Sequence, residues 1–234
     1  MDYWQHYSKT SSSIVDKYFR GLEVYITRCK NPSCRQEIRL FQPCDIWILT
    51  LDGLSDPASL YQVLDNYQGV ETLRELICET CNARGRTRQS KFARLPDRLA
   101  FCFNRFNNDR MSEKVNTKVR FPIRDLDLTR YLADPDPDMA STDDPHFAGR
   151  MRYDCYAVTV HVGQGINGGH YYSYVQDEQS RDPTDWFRCN DDVVDRVKIG
   201  TGGRANSGLP DLTEEMYQSR NASAYMVFYR RQGT

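Results

Sequence analysis

The chain has 234 residues, long enough for one large domain or two lobes around a real core, and its 39% hydrophobic and 12% aromatic content excludes a wholly disordered protein. Lys+Arg number 31 against Asp+Glu 32, so no global basic field exists to hold a nucleic-acid backbone. Met1 to His6 carries no basic region leading into an apolar run, and no stretch approaches the roughly 18 apolar residues of a membrane span, so a soluble, intracellular protein of the cytoplasm or nucleus, without a membrane partner, is expected. Eight cysteines in that reducing setting point to metal ligands, catalysts or core residues rather than disulfides.

In chain order, Ser11-Ser12-Ser13 offers N-cap chemistry ahead of Ile14-Val15-Asp16-Lys17-Tyr18-Phe19, which places apolar residues on one helical face and predicts a short helix before Gly21. Alternation predicts a strand at Leu22 to Thr27, and Asp45 to Leu51 reads as a second. Cys29 to Cys34, with Pro32, is read as a turn, as is Cys78 to Cys81, and Ser59 to Tyr67 has helical spacing. Arg98 to Phe106 reads as a strand, and another ends at Val119-Arg120-Phe121-Pro122. Further β runs lie at Tyr156 to Val162, Tyr171 to Val175 and Ala224 to Tyr229. The acidic, proline-rich 133–150 and the glycine-rich 199–223 are read as exposed loops.

Cys29-x4-Cys34 and Cys78-x2-Cys81 each put two thiolates on one tight turn, and two such turns can close a tetrahedral shell around Zn²⁺. With all four positions filled by sulfur the ion would be structural. The alternative is two unrelated pairs of thiols. Cys44, Cys102, Cys155 and Cys189 have no close partner, and Cys102 and Cys155 are most simply core residues.

Gly168-Gly169-His170-Tyr171-Tyr172 sets a histidine at the mouth of a strand, after two glycines that permit close backbone approach. If the next strand, Asp185 to Asn190, returns antiparallel through a turn near Ser180 to Asp182, then His170 and Asn190 fall within a couple of positions of each other. A general base needs an acceptor to fix its tautomer, and Asn190 or Asp191 can supply one. The competing reading is a surface hairpin with an incidental histidine. His161 reads as a strand histidine beside the site, and His6 and His146 carry no motif.

Taken together these motifs resemble one family, the ubiquitin-specific proteases, thiol-dependent deubiquitinases. Cys29-x4-Cys34 and Cys78-Glu79-Thr80-Cys81 resemble its zinc-binding fingertips. Arg94-Leu95-Pro96-Asp97-Arg98-Leu99 through Arg105-Phe106 is similar to the strand entering its palm, and Lys118-Val119-Arg120-Phe121-Pro122 follows in order. Gly168-Gly169-His170-Tyr171-Tyr172 resembles the histidine box, Trp186-Phe187-Arg188-Cys189-Asn190-Asp191 the third-residue box, and Ala224 to Arg230 the closing strand. Asn104 departs from the lysine usual before Arg105-Phe106.

The resemblance implies an α+β, papain-like fold with β-rich fingers and palm. It divides the chain into a remnant of a thumb helix at 1–21, zinc-binding fingers at 22–92 and a palm at 93–234. It implies His170 as base, Asn190 as its orienter, Asp191 as a polar assistant, and Cys29, Cys34, Cys78 and Cys81 as ligands of a structural Zn²⁺. The partner implied is ubiquitin or a ubiquitinated protein, cleaved at the isopeptide bond of the ubiquitin C-terminus. The family's nucleophile opens a thumb helix in a Gly-Asn-Thr-Cys segment, and no cysteine precedes Cys29 here, so the thumb is expected to be largely missing and the isolated chain inactive. Cys189 adjoins Asn190 and so points to the opposite strand face, which leaves it a poor substitute. Two other readings stand beside this one: a catalytically inactive ubiquitin-binding scaffold, and a zinc-ribbon nucleic-acid module, which the even charge disfavours.

Overall fold

The structure is a computed structural model that describes residues 13–106, 114–134, 150–165, 168–200, 209, 211–218 and 221–233. Most of the 133–150 stretch, much of 199–223, and both His6 and His146 lie outside these residues. The chain divides into two compact units, each assembled from three stretches: Met1–Asp45, Asp65–Asp97 and Asp127–Met151 in one, Ile46–Leu64, Arg98–Leu126 and Arg152–Thr234 in the other.

The first unit opens with helix α1 (Ile14–Tyr18), whose cap is Ser13. Ser13 Oγ accepts the Asp16 N–H at 3.1 Å and Asp16 Oδ2 accepts the Ser13 N–H at 3.3 Å, a reciprocal box that satisfies otherwise orphaned donors. Strands β1 (Gly21–Cys29) and β2 (Glu37–Cys44) follow. β3 (Trp47–Thr50) and β4 (Ala58–Ser59) belong to the second unit, and helix α2 (Leu60–Tyr67) buries Leu60, Val63 and Leu64. β5 (Glu71–Ile77) and β6 (Arg84–Arg94) complete an antiparallel sheet of order β2-β1-β6-β5. Leu22, Val24 and Ile26 alternate onto one face of β1 and pack with Ala93 and Phe41. Glu23, on the other face, is buried yet satisfied, accepting the hydroxyls of Tyr25 at 2.9 Å and Tyr67 at 2.7 Å.

The second unit is a larger sheet. Its remaining elements are β7 (Arg98–Asn104), β8 (Val119–Arg120), the two-residue β9 (Leu126–Asp127), β10 (Arg152–Gly165), β11 (Gly168–Gln176), β12 (Asp185–Asn190), β13 (Val193–Lys198), helix α3 (Leu212–Met216) and β14 (Ala222–Arg231). The order is β13-β12-β11-β10-β14-β7-β3, antiparallel except where β3 runs parallel to β7. Trp47, Phe101, Val158, Val160, Tyr174, Trp186, Val227 and Tyr229 are buried, with Phe101 packed edge-on to Tyr229 at 6.2 Å. Helix α3 lies inside the stretch expected to be loop; Asp211 caps it, accepting the Glu214 N–H at 2.7 Å. No helix among the described residues is long and apolar enough to cross a membrane.

Candidate functional site

Two constellations carry chemistry. In the first unit the β1–β2 and β5–β6 turns bring Cys29, Cys34, Cys78 and Cys81 together, with all four sulfurs within 4.8 Å of one another. Cys29 Sγ lies 3.6 Å from Cys81 Sγ, and Cys34 Sγ 3.7 Å from Cys78 Sγ. A tetrahedron with metal–sulfur bonds of about 2.3 Å has edges of about 3.8 Å, so the four donors fit a single tetrahedral metal ion. The turns are built locally. The Cys34 N–H donates to Asn31 O at 2.9 Å, the Asn82 N–H to Cys78 O at 2.8 Å, and Asn82 takes a positive φ of 53° that asparagine tolerates better than most residues. The Asn31 N–H also donates to Cys29 Sγ at 3.4 Å. Loss of water around Cys78 opposes its ionisation, but the N–H groups of Cys81 and Thr80 aimed at the sulfur outweigh that and bring the thiol down to about 6. Around the set, Arg86 Nη2 donates to Gln36 Oε1 at 3.0 Å, and that oxygen lies 2.8 Å from Cys78 Sγ.

The second constellation stands at one end of the larger sheet. Ser173 faces Cys189 across the β11–β12 ladder, so the register carried one step further sets Tyr172 beside Asn190. His170 is two residues before Tyr172, which puts it on the same face and diagonal to Asn190. The two side chains meet: His170 Nε2 is hydrogen-bonded to Asn190 Oδ1. An amide oxygen only accepts, so Nε2 carries the proton and donates it, leaving Nδ1 of the neutral ring as an acceptor. Asp191 turns the chain with a φ of +54°, and its Oδ2 stands farther off, 3.9 Å from Nε2.

Of the two glycines ahead of His170, Gly169 has a specific reason. A Cβ on Gly169 would lie 2.2 Å from Nε2 of His161 and 2.8 Å from the carbonyl oxygen of Val162. His161 itself is buried, and its ring packs on Tyr171 at 4.7 Å and edge-on to Phe106 at 5.5 Å. Burial, with the nearby Lys114 and Arg105 cations, holds its pKa below the usual histidine value. Its companion Arg105 is fully buried: Nε donates to Ala224 O at 2.6 Å and Nη1 to Val115 O and Thr117 O at 2.8 and 2.9 Å. Burial lowers that guanidinium to about 10. Lys114 was not singled out by any sequence pattern, because the groups it binds are remote along the chain.

Among the described residues, the His170 ring contacts Asn190 and Asp191 and no cysteine. Cys189 pairs across its strands with Ser173 and Val194, on the face away from Asn190. Burial raises the thiols of Cys102 and Cys155, and Cys44 ends β2 in the first unit.

Fold and family follow in turn. The chain superimposes with a TM-score of 0.71 on a chain of the SAGA Ubp8/Sgf11/Sus1/Sgf73 DUB module bound to ubiquitin aldehyde, at 19% identity, over 97% of this chain and 44% of that one. A chain of the same module bound to monoubiquitin gives 0.71 at 21% identity, over 96% and 43%. The fold is therefore α+β and papain-like, of the ubiquitin-specific protease type. The family model for ubiquitin carboxyl-terminal hydrolases matches residues 1–229, and the chain belongs to that family. It is 31% identical over 230 residues to ubiquitin carboxyl-terminal hydrolase 21 of Arabidopsis thaliana, covering 97% of this chain and 26% of the relative. It is 29% identical over 206 residues to human ubiquitin carboxyl-terminal hydrolase 34, covering 76% and 6%. The chain thus spans about a quarter or less of the length of these curated relatives.

Proposed function

We propose that this chain is the fingers-and-palm portion of a thiol-dependent deubiquitinase, with His170 as general base, Asn190 as its orienter, and the attacking cysteine supplied by polypeptide outside this sequence. The observation that carries the reading is the His170–Asn190 hydrogen bond, which leaves Nδ1 as the only ring nitrogen able to take a proton. Nδ1 would accept the thiol proton as sulfur attacks the carbonyl at the ubiquitin C-terminus, then return it to the departing lysine amine. Asn190 holds the Nε2 proton throughout, so that only Nδ1 gains and loses a proton. Asp191, exposed and more distant, would favour the imidazolium formed between the two steps.

The four cysteines would hold Zn²⁺, which supplies a structural crosslink and no chemistry, since sulfur fills every position. On this reading residues 22–92 are the fingers, 93–234 the palm, and ubiquitin the partner, as in the ubiquitin-bound modules of the same fold. A reducing compartment suits eight free thiols. Because the contacts of His170 among the described residues include no cysteine, an inactive ubiquitin-binding scaffold is the second reading.

The test is to incubate the chain with ubiquitin bearing a C-terminal electrophile while measuring ubiquitin binding and zinc content. Binding, one zinc per chain and no covalent adduct are expected. An adduct on any of the eight cysteines would overturn the missing-nucleophile reading, and absence of zinc the fingers assignment. Tight DNA or RNA binding without ubiquitin binding would replace the whole reading with a nucleic-acid module. A version extended upstream to include a Gly-Asn-Thr-Cys segment separates enzyme from scaffold, since only the enzyme reacts with the probe.

A further inference from the structure

Lys114 is 5% exposed, and its ammonium group has three N–H donors that meet three backbone carbonyls: His161 O at 3.0 Å, Gly163 O at 3.2 Å and Asn221 O at 2.9 Å. Every proton has an acceptor, and the two carbonyls on β10 flank one residue, Val162. That residue is the cross-strand partner of His170. The Lys114 N–H adds a fourth tie along the same strand, donating to Gln164 O at 3.3 Å. The cation therefore grips the backbone on both sides of the position opposite the candidate base.

His161 meets the same hairpin from the side-chain direction. Its Nδ1 is buried with no hydrogen-bond partner, so the ring is not held there for the sake of that nitrogen. What the ring does is fill space: it lies between Tyr171 and Phe106, and the Gly169 backbone runs so close to it that no Cβ fits between. Gly169 immediately precedes His170. The lysine and the imidazole thus constrain the two backbone positions nearest the base, one across the ladder and one along the chain.

We propose that Lys114 and His161 are positioning residues for His170: Lys114 fixes the β10 backbone around Val162, and the His161 ring acts by its shape to carry the Gly169 backbone, together aiming the imidazole at Asn190. The inference rests on the reading of His170 as the base. It assigns His161 no proton transfer, which separates it from a second base, and it makes the ring replaceable by another of similar outline.

The experiment is ¹H–¹⁵N NMR of the histidine rings in the chain itself, which distinguishes a fixed Nε2–H tautomer from an averaged one, with thermal melting measured alongside. The unsubstituted chain is expected to show His170 fixed and Asn190→Ala to release it. Lys114→Met and His161→Ala are expected to release His170 as Asn190→Ala does, while His161→Phe keeps it fixed. A purely structural role would lower the melting temperature and leave the His170 nitrogen shifts unmoved; that result in folded Lys114→Met and His161→Ala chains overturns the proposal. Should Lys114→Met not fold, the contrast between His161→Ala and His161→Phe decides it. If His170 is already averaged in the unsubstituted chain and Asn190→Ala changes nothing, the base reading itself falls.

Discussion

The cysteine cluster and the His170–Asn190 pair obtain their geometry by opposite routes. Each half of the cluster is local: two turns, stabilised by hydrogen bonds spanning three or four residues, present two sulfurs apiece, and a tetrahedral ion would supply the final precision. The histidine site has no such external template. Its accuracy is inherited from ladder register over three strands, from buried aromatic packing and from a lysine bound to carbonyls far along the chain. With Zn²⁺ bound as proposed, the first site should therefore be fragile to loss of that ion, and the second to small shifts of backbone.

The largest effect that can break this comparison is metal removal. Apparent zinc affinities of small structural sites are worth about 10–16 kcal/mol, so a strong chelator, or Cys34→Ser, is expected to melt the cysteine-bearing ends of the first sheet. Amide hydrogen exchange would locate the loss at β1, β2, β5 and β6, with the His170 tautomer retained; simultaneous release of His170 would show the two sites coupled. Next comes the packing of the strand that carries Asn190. Trp186 is fully buried on β12, and Trp186→Ala is expected to lower the unfolding free energy by about 3–5 kcal/mol, read from urea denaturation.

Gly169→Ala is expected to cost about 1–3 kcal/mol through overpacking against His161, and to disturb the His170–Asn190 bond more than its stability cost alone suggests. An unchanged tautomer with unchanged stability would refute the close approach. The smallest expected effect is pH-dependent. Burial and the facing Arg105 cation lower Lys114 from 10.5 to about 8, with neutral His161 beside it. Between those values the unfolded chain retains a proton that the folded chain has lost, so this residue makes unfolding free energy rise with pH, by at most about 1.4 kcal/mol per unit. Below about pH 8 both states are protonated and the slope vanishes. The unsubstituted chain should gain on Lys114→Met as pH rises from 7 to 10, measured by urea midpoints; a constant gap across that window would exclude the shift.

Much of this was legible where chemistry is concentrated in neighbouring residues. The cysteine spacings announced the cluster, Ser13 marked the helix start, and the return of β12 along β11 was enough to bring Asn190 within two positions of His170. Strands that fill the core were read with only their ends misplaced: Arg152–Gly165 is longer than the run from Tyr156 to Val162. Two strands that the sequence does not mark, β6 and β13, lack apolar alternation. β6 is Arg-Gly-Arg-Thr-Arg-Gln-Ser-Lys-Phe-Ala-Arg and owes its extended state to lying between β1 and β5, while β13 is almost wholly exposed at the edge of its sheet. Lys114 was invisible for a related reason. Its partners belong to positions 161, 163 and 221, and nothing around residue 114 encodes them.

The ladder between β11 and β12 also determines which length changes a descendant sequence can absorb. An extra residue in the 177–184 connection alters only a loop and leaves His170 on its face. The same residue inserted between His170 and Ser173 would turn the imidazole to the far side of the sheet, away from Asn190, although every side chain of the motif would still be present. For this chain, the interval between the histidine and its strand is as much a part of the site as the histidine.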